Sequence, residues 1–225
     1  MPNRRLILGN VANDDGGNLT NAFYGSREIV VSGNISSSNA ITGESRRDTL
    51  LSYLYQTNAT IKFEQANSTR VYTGTLSDTI FSEDNKGGLL PFDLKFNCPD
   101  PFGYEQNQLQ VVATNLASGT GTSVTNNGSY FCYPIIWLKA LTSYTLIDTS
   151  LSVSDGTRTL TVIRTWLAGD TLVVDGINRT VKVNGTVVTY YGAFPQLAVG
   201  SNTITNGGGF PNNVDKTVKY TQRYL

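Results

Sequence analysis

By type, four aspartates, Asp148, Asp155, Asp170 and Asp175, are the residues of this 225-residue chain best suited to acid or base chemistry. A glycosidase needs two carboxyl groups converging within about 5–9 Å. Each of these aspartates lies beside glycine or in a turn, where aspartate accepts nearby backbone N–H groups. That local chemistry explains them without a catalytic partner. The chain has no histidine, which excludes His-dependent triads, imidazole metal sites and the usual proton shuttle. Asp14-Asp15-Gly16 lacks the alternating oxygen ligands of a calcium loop. No glycine-rich loop precedes a helix to cradle phosphate, and no serine sits in a nucleophile elbow. Cys98 and Cys132 are too few for a disulfide framework or a cysteine-rich zinc site and read as small buried hydrophobes. The expectation is a protein that is not an enzyme, with no cofactor and no metal.

Two tryptophans could stack on a sugar. Trp137 lies inside the apolar run 131–138 and reads as core, whereas Trp166 ends a strand just before Gly169 and reads as partly exposed. Trp166, Tyr190 and Tyr191 therefore form the candidate surface for a partner or glycan. The net charge is zero and 15% of residues are charged, so no basic excess points to nucleic acid. No stretch reaches membrane-spanning length, and the apolar run near the start is too short for a signal peptide.

Short alternating runs joined by turn dipeptides must position these residues. Runs at 171–174, 180–183 and 186–190 are separated by Asp175-Gly176 and Asn184-Gly185. These dipeptides tolerate the positive φ of tight hairpins, so an antiparallel meander is expected. Upstream, strands are expected at 4–11, 27–35, 60–64, 70–76 and 90–98. In the last, Phe92, Leu94, Phe96 and Cys98 share one face. Residues 36–43 read as loop. The helix candidate is 45–56, capped by Ser45 with Asp48 three residues on, and striped by Leu50, Leu51, Leu54 and Tyr55. Arg46 and Arg47 would then fall in its first turn, where the macrodipole disfavours cations. They are either solvated or face an acidic neighbour on another subunit. Residues 105–127, rich in Gln, Asn, Ser, Thr and Gly with one strand at 109–114, read as a linker. Further strands are expected at 143–147, 151–153, 157–165, from Thr203 and at 216–224. Their even spacing and glycine turns argue for a sandwich or jelly roll.

The order of the pieces adds to this. REIVVSGNI, RRDTLLSYL, RVYTG and PFDLKFNCPDPFGY are followed by TNNGSYFCYPIIWL, GDTLVVDG, VKVNGT, FPQLAVGSNTI and a terminal RYL. From about residue 24 to the end, this series resembles the distal tail protein (Dit) family of siphophages. CPDPFGY and the GDTLVVDG to GSN series are its most specific parts. The resemblance implies a mainly β chain in two domains. An N-terminal α+β belt domain, 1–104, would assemble into a hexameric ring, and a galectin-like β-sandwich, 128–225, would project from it. Segment 214–225 would return to the belt, as in some members.

It further implies a structural hub of a phage tail tip (baseplate), carried in the virion and made in the host cytoplasm. The partners would be the tail tube protein and the tail-associated lysin, fibre or receptor-binding proteins, with no nucleic acid and no membrane. Ring-forming contacts are expected from Arg27, Ile29, Val31, Arg46, Arg47, Phe92 and Leu94, since heterologous ring contacts use sheet edges and helix faces. Two features depart from the family. The region before Tyr24 is short, and the galectin sugar site needs a histidine that this chain lacks. The arm is therefore expected to hold protein rather than sugar. The alternative is a carbohydrate-binding module acting in host-cell recognition.

Overall fold

The computed structural model describes residues 4–10, 17–36, 38, 40–55, 59–65, 68–82, 89–143, 150–208 and 213–225. Two compact units divide the chain, Met1–Gly103 with Leu225 and Tyr104–Tyr224. Asp14, Asp15, Asp148 and the expected strand at 143–147, apart from Ser143, lie outside the described residues.

The first unit contains β1 (Arg4–Asn10), β2 (Gly17–Tyr24), β3 (Arg27–Ser36), α1 (Ala40–Leu54), β4 (Ala59–Gln65), β5 (Ser68–Phe81) and β6 (Leu89–Cys98). β1 and β2 form a two-stranded antiparallel sheet of their own. β6 lies between β3 and β5, antiparallel to both, and β4 pairs with β5. The alternation in β3 and β6 sets the register: Ile29 opposes Phe96, Val31 opposes Leu94, Gly33 opposes Phe92 and Ile35 opposes Leu90. A slip of one residue would turn each of these pairs toward water. Accordingly Leu94, Phe96 and Cys98 are buried while Val30, pointing the other way, is 49% exposed.

The helix differs from expectation. It starts at Ala40, so Arg46 and Arg47 sit mid-helix rather than in the first turn. Ser45 is not a cap; its carbonyl accepts from the Thr49 hydroxyl at 2.8 Å. Gly43 looks like a helix breaker at about 1 kcal/mol relative to alanine, yet it is buried inside the first turns of α1. Tertiary packing overrides a weak local preference there.

The second unit is a sandwich of two sheets. One holds, in spatial order from one edge, β15 (Thr186–Val187), β14 (Thr180–Val183), β13 (Thr171–Asp175), β10 (Ile135–Ala140), β18 (Val214–Tyr220) and β8 (Leu109–Leu116). The other holds β16 (Tyr191–Gly192), β12 (Thr159–Ile163), β11 (Ser150–Ser154), β17 (Gly200–Gly208) and β9 (Gly121–Asn126). Inward side chains from both sheets make one core, including Ile136, Leu138, Leu160, Val162, Leu172, Val174, Ile204 and Val218. At 25–30 cal/mol per Å² of apolar area removed from water, each such aliphatic side chain contributes roughly 1.5–3 kcal/mol.

Residues 105–127 are not a linker. β8 pairs with β18 and β9 pairs with β17, so this segment supplies one strand to each sheet of the sandwich. Its polar composition misleads because β9 alternates fully: Thr122, Val124 and Asn126 point in, and Gly121, Ser123 and Thr125 point out. The chain's end divides in two. β18 is an interior strand of the sandwich, and β19 (Arg223–Tyr224) runs beside β7 (Gly103–Glu105), with the Glu105 amide donating to the Gln222 carbonyl at 3.0 Å.

The meander forms as the dipeptides suggest, with one change. Asn184 and Gly185 take φ of 50° and 82°, the positive values a two-residue hairpin turn requires. At Asp175-Gly176 the loop is longer, because Asp175 pairs with Thr180 and the positive φ falls on Arg179, at 55°.

Candidate interaction surfaces

The aspartates act as turn anchors. Asp155 accepts the amides of Thr157, Arg158 and Gln196 at 2.7–2.8 Å. Burial pushes its carboxyl up, but those backbone N–H groups and the Arg158 guanidinium outweigh it and hold it below the usual value. Asp170 is likewise pushed up by burial and then held down by the Leu167 amide, the Asn184 side chain and Arg164. Asp175 accepts from the amides of Ile177 and Asn178. Each carboxylate accepts from amides of its own loop, and Asp155 and Asp170 also tie that loop to a more distant one through Gln196 and Asn184. Among the described residues, no three acidic or cysteine side chains gather as a metal-binding group. Cys98 and Cys132 are both buried and free, and burial pushes the Cys132 thiol up to about 12.

On the first unit the expected ring residues have different fates. Leu94 is 4% exposed and serves the subunit's own core, so it offers no surface for a neighbour. Ile29 and Val31 are half-buried along β3, which ends its sheet among the described residues. Phe92 lies over Gly33, where an added Cβ would meet its ring at 2.5 Å. The ring of Phe92 also leans on Phe81, with centroids 6.2 Å apart. Arg27 donates to the Tyr72 hydroxyl at 2.8 Å and stacks over that ring at 5.1 Å. Arg46 donates to the Ser36 carbonyl, tying the helix back to the end of β3. Arg47 pairs with Asp48 at 3.0 Å and lies 6.0 Å from the Phe81 centroid. At the same end of the sheet, Ser32, Asn34, Ile80, Pro91, Phe92 and Asp93 border an open groove of about 390 Å³.

On the second unit the two tryptophans exchange their expected places. Trp166 is fully buried in the sandwich core, so it cannot belong to a partner or glycan surface. Its position at the end of a strand hid this, because β12 stops at Ile163 and the chain then turns the indole inward. Trp137 alternates with the buried Ile136 and Leu138 and stands half-buried on the outer face of its sheet. An unbroken apolar run disguises that two-residue alternation. Tyr190 is half-buried against Phe194, with centroids 5.1 Å apart, while Tyr191 is 60% exposed on β16. The structure thus brings Tyr190 beside Phe194 and Arg179, whose guanidinium lies 4.0 Å from the Tyr133 centroid and 5.3 Å from that of Phe194. Sequence reasoning missed Arg179; its only signal was a place in the loop after Asp175-Gly176.

The second unit is thus a two-sheet sandwich whose Asp155, Asp170 and Asp175 hold loops, and the first is an α+β unit whose β3 ends its sheet among the described residues. Residues 127–224 of the chain match the model of a family described as siphovirus-type tail component, C-terminal domain. Over its whole length, the chain superposes on the crystal structure of the Dit protein of phage SPP1, described as a paradigm of hub adsorption apparatus in phages infecting Gram-positive hosts. That match has a TM-score of 0.69 and 19% identity, covering 100% of this chain and 90% of the SPP1 protein. A looser likeness, with a TM-score of 0.42 and 8% identity over 97% of this chain and 86% of the other, is to the phage P2 baseplate in its calcium-bound activated conformation. No curated protein sequence is similar enough to register as a relative. Residues 127–224 thus resemble that tail-component family, and the chain as a whole has the fold of the SPP1 Dit protein.

Proposed function

We propose that this chain is the hub of a siphovirus tail tip, assembling through its first unit into a closed, hexameric ring. The ring joins the tail tube protein to the tail-associated lysin, fibre or receptor-binding proteins, and the sandwich serves as a docking arm rather than an active site. The protein is made in the host cytoplasm and ends in the virion at the baseplate. The observation that carries this reading is β3. It is a ten-residue strand at the end of its sheet, with Ile29, Val31 and Ile35 only half-buried. Such an edge offers a row of backbone donors and acceptors to a neighbouring chain. A head-to-tail contact of this kind closes into a ring when the rotation per subunit divides a full turn. Agreement of the whole fold with a protein described as a hub supports the same reading.

Native mass spectrometry and negative-stain imaging of the purified protein test it together. The expected result is a six-fold particle with a central hole. A monomer that persists at high protein concentration and low salt would remove the ring from the proposal.

A further inference from the structure

We propose that the sandwich core of the second unit is a binding site for one water molecule, held by Lys216, Thr122 and Asn206 beneath the turn that joins β8 to β9. This lies outside the hub reading and does not depend on it. Lys216 reaches from β18 across the core to the other sheet. There it donates to the carbonyl of Ile204 on β17 at 2.7 Å and to that of Thr120, just before β9, at 3.2 Å. The register pairs Ile204 with Thr122, and Asn206 is the next inward residue on β17. The Asn206 side chain donates to the Ala117 carbonyl at 3.2 Å, while its backbone carbonyl accepts from Gly119 at 2.7 Å. The ammonium therefore ends in a corner bounded by Thr120, Thr122, Ile204 and Asn206. Lys216 and Asn206 are fully buried there, and Thr122 is 7% exposed.

Hydrogen bonding within the protein leaves this corner incomplete. An ammonium carries three donors, and the two carbonyls take two of them. Thr122 Oγ1 and Asn206 Oδ1 are buried with no partner in the protein. Native cores pair nearly all such atoms, because a bare one loses its hydration and gains nothing in return. Thr122 and Asn206 are diagonal neighbours across β9 and β17, a relation that sets Cβ atoms about 7–8 Å apart. Their oxygen atoms are then too far apart for a direct bond, but near enough for one small molecule to bridge them.

Donors and acceptors together select the occupant. Lys216 offers a donor, Asn206 Oδ1 an acceptor, and the Thr122 hydroxyl either. Ala117 fixes the orientation of Asn206, since a turned amide would set Oδ1 against that carbonyl oxygen. An anion is repelled by Asn206 Oδ1 and the two carbonyls, a cation by the ammonium, and an apolar group leaves all three side chains unpaired. Lys216 forms no ion pair among the described residues, and burial alone lowers its pKa, so no counter-charge alters this selection. A small neutral molecule that both donates and accepts is what remains. Water accepts from Lys216, donates to Asn206 and bonds Thr122, the three contacts usual for a buried water. Held so, it ties β9, β17 and β18 together where both sheets end, at β8 and β9.

A crystal structure of the full-length protein that resolves ordered water tests this directly. One peak is expected at hydrogen-bond distance, about 2.7–3.2 Å, from Lys216 Nζ, Thr122 Oγ1 and Asn206 Oδ1. In solution, oxygen-17 relaxation dispersion counts the waters held long enough to tumble with the protein. Replacing Thr122→Val and Asn206→Leu together should lower that count by one. The proposal is overturned by a corner with no peak, or by one in which Thr122 and Asn206 bond each other directly. A crystal soaked in bromide that shows an anomalous peak at this position would also overturn it, since the site would then take an anion. An unchanged count in a double variant that still melts cooperatively does the same. If the double variant does not fold, the presence or absence of the wild-type peak decides.

Discussion

Lys216 carries an ammonium group into the sandwich core. It is fully buried on β18, between the inward Val214 and Val218, and donates to the carbonyls of Ile204 at 2.7 Å and Thr120 at 3.2 Å. Burial lowers its pKa to about 8. A lysine whose folded value lies below its unfolded value destabilises the protein while charged, and that penalty is relieved as pH rises from about 8 toward 10.5. Lys216→Met removes that penalty but strands the Ile204 and Thr120 carbonyls, so its stability relative to wild type should be most favourable at pH 7 and should decline as pH rises through this window in urea titrations. Cys132 acts in the opposite sense, because its thiol stays protonated in the folded protein to about 12 while unfolded thiols ionise from about 9. Comparing variant with wild type at each pH removes that contribution. Asp155 gives the acid counterpart. Asp155→Ala strands three backbone amides and should cost about 3 kcal/mol at neutral pH, measured by chemical denaturation. Its folded value lies below 3.8, so its contribution is present above that pH and is lost only as pH falls through the lowered value. The cost of the substitution should shrink accordingly in acid.

At the scale of elements, β3 and α1 carry the assembly proposal. Gly33 is the one inward position on β3 without a side chain, and Phe92 fills its place. Gly33→Ala forces that ring aside and should destabilise the first unit by about 1–3 kcal/mol, read as a lower melting temperature. Arg46 ties α1 to Ser36 and Arg47 is held by Asp48 beside Phe81. Converting both arginines to glutamate should weaken the oligomer and its salt resistance in mass photometry, while the monomer's circular dichroism stays β-rich. An unchanged stoichiometry would take these arginines out of the ring contact. The strand alternations of β3 and β6 were legible because both faces of the pattern differ in polarity. The helix boundary was not, because a buried glycine carries the same local signal as an exposed one.

For the whole molecule, topology makes the C-terminus indispensable. β18 pairs with β10 on one side and with β8 on the other, so it joins the edge strand β8 to the rest of its sheet. Ending the chain at Asn213 should therefore unfold the sandwich rather than trim a tail. The fully buried Trp166 would then move to water, shifting its emission to the red in a fluorescence spectrum. A truncation that kept a blue-shifted Trp166 would contradict this account. The polar stretch 105–127 follows the same logic: its strands are stable only because β17 and β18, about a hundred residues later, arrive to pair with them.

By itself the sequence determined what local physics encodes. Alternating runs predicted most of the strands, Asn184-Gly185 a tight hairpin, the aspartates their turns, and the lack of histidine the loss of imidazole chemistry. Tertiary structure alone decided which side of each strand faces the core. That choice put Trp166 inside, left Trp137 on the surface, buried Lys216 and made a presumed linker part of both sheets. Period-two alternation specifies that neighbours point opposite ways, but a continuous apolar run such as YFCYPIIWL leaves the direction open. Only pairing with strands distant in sequence, and the core those pairings enclose, fixes it.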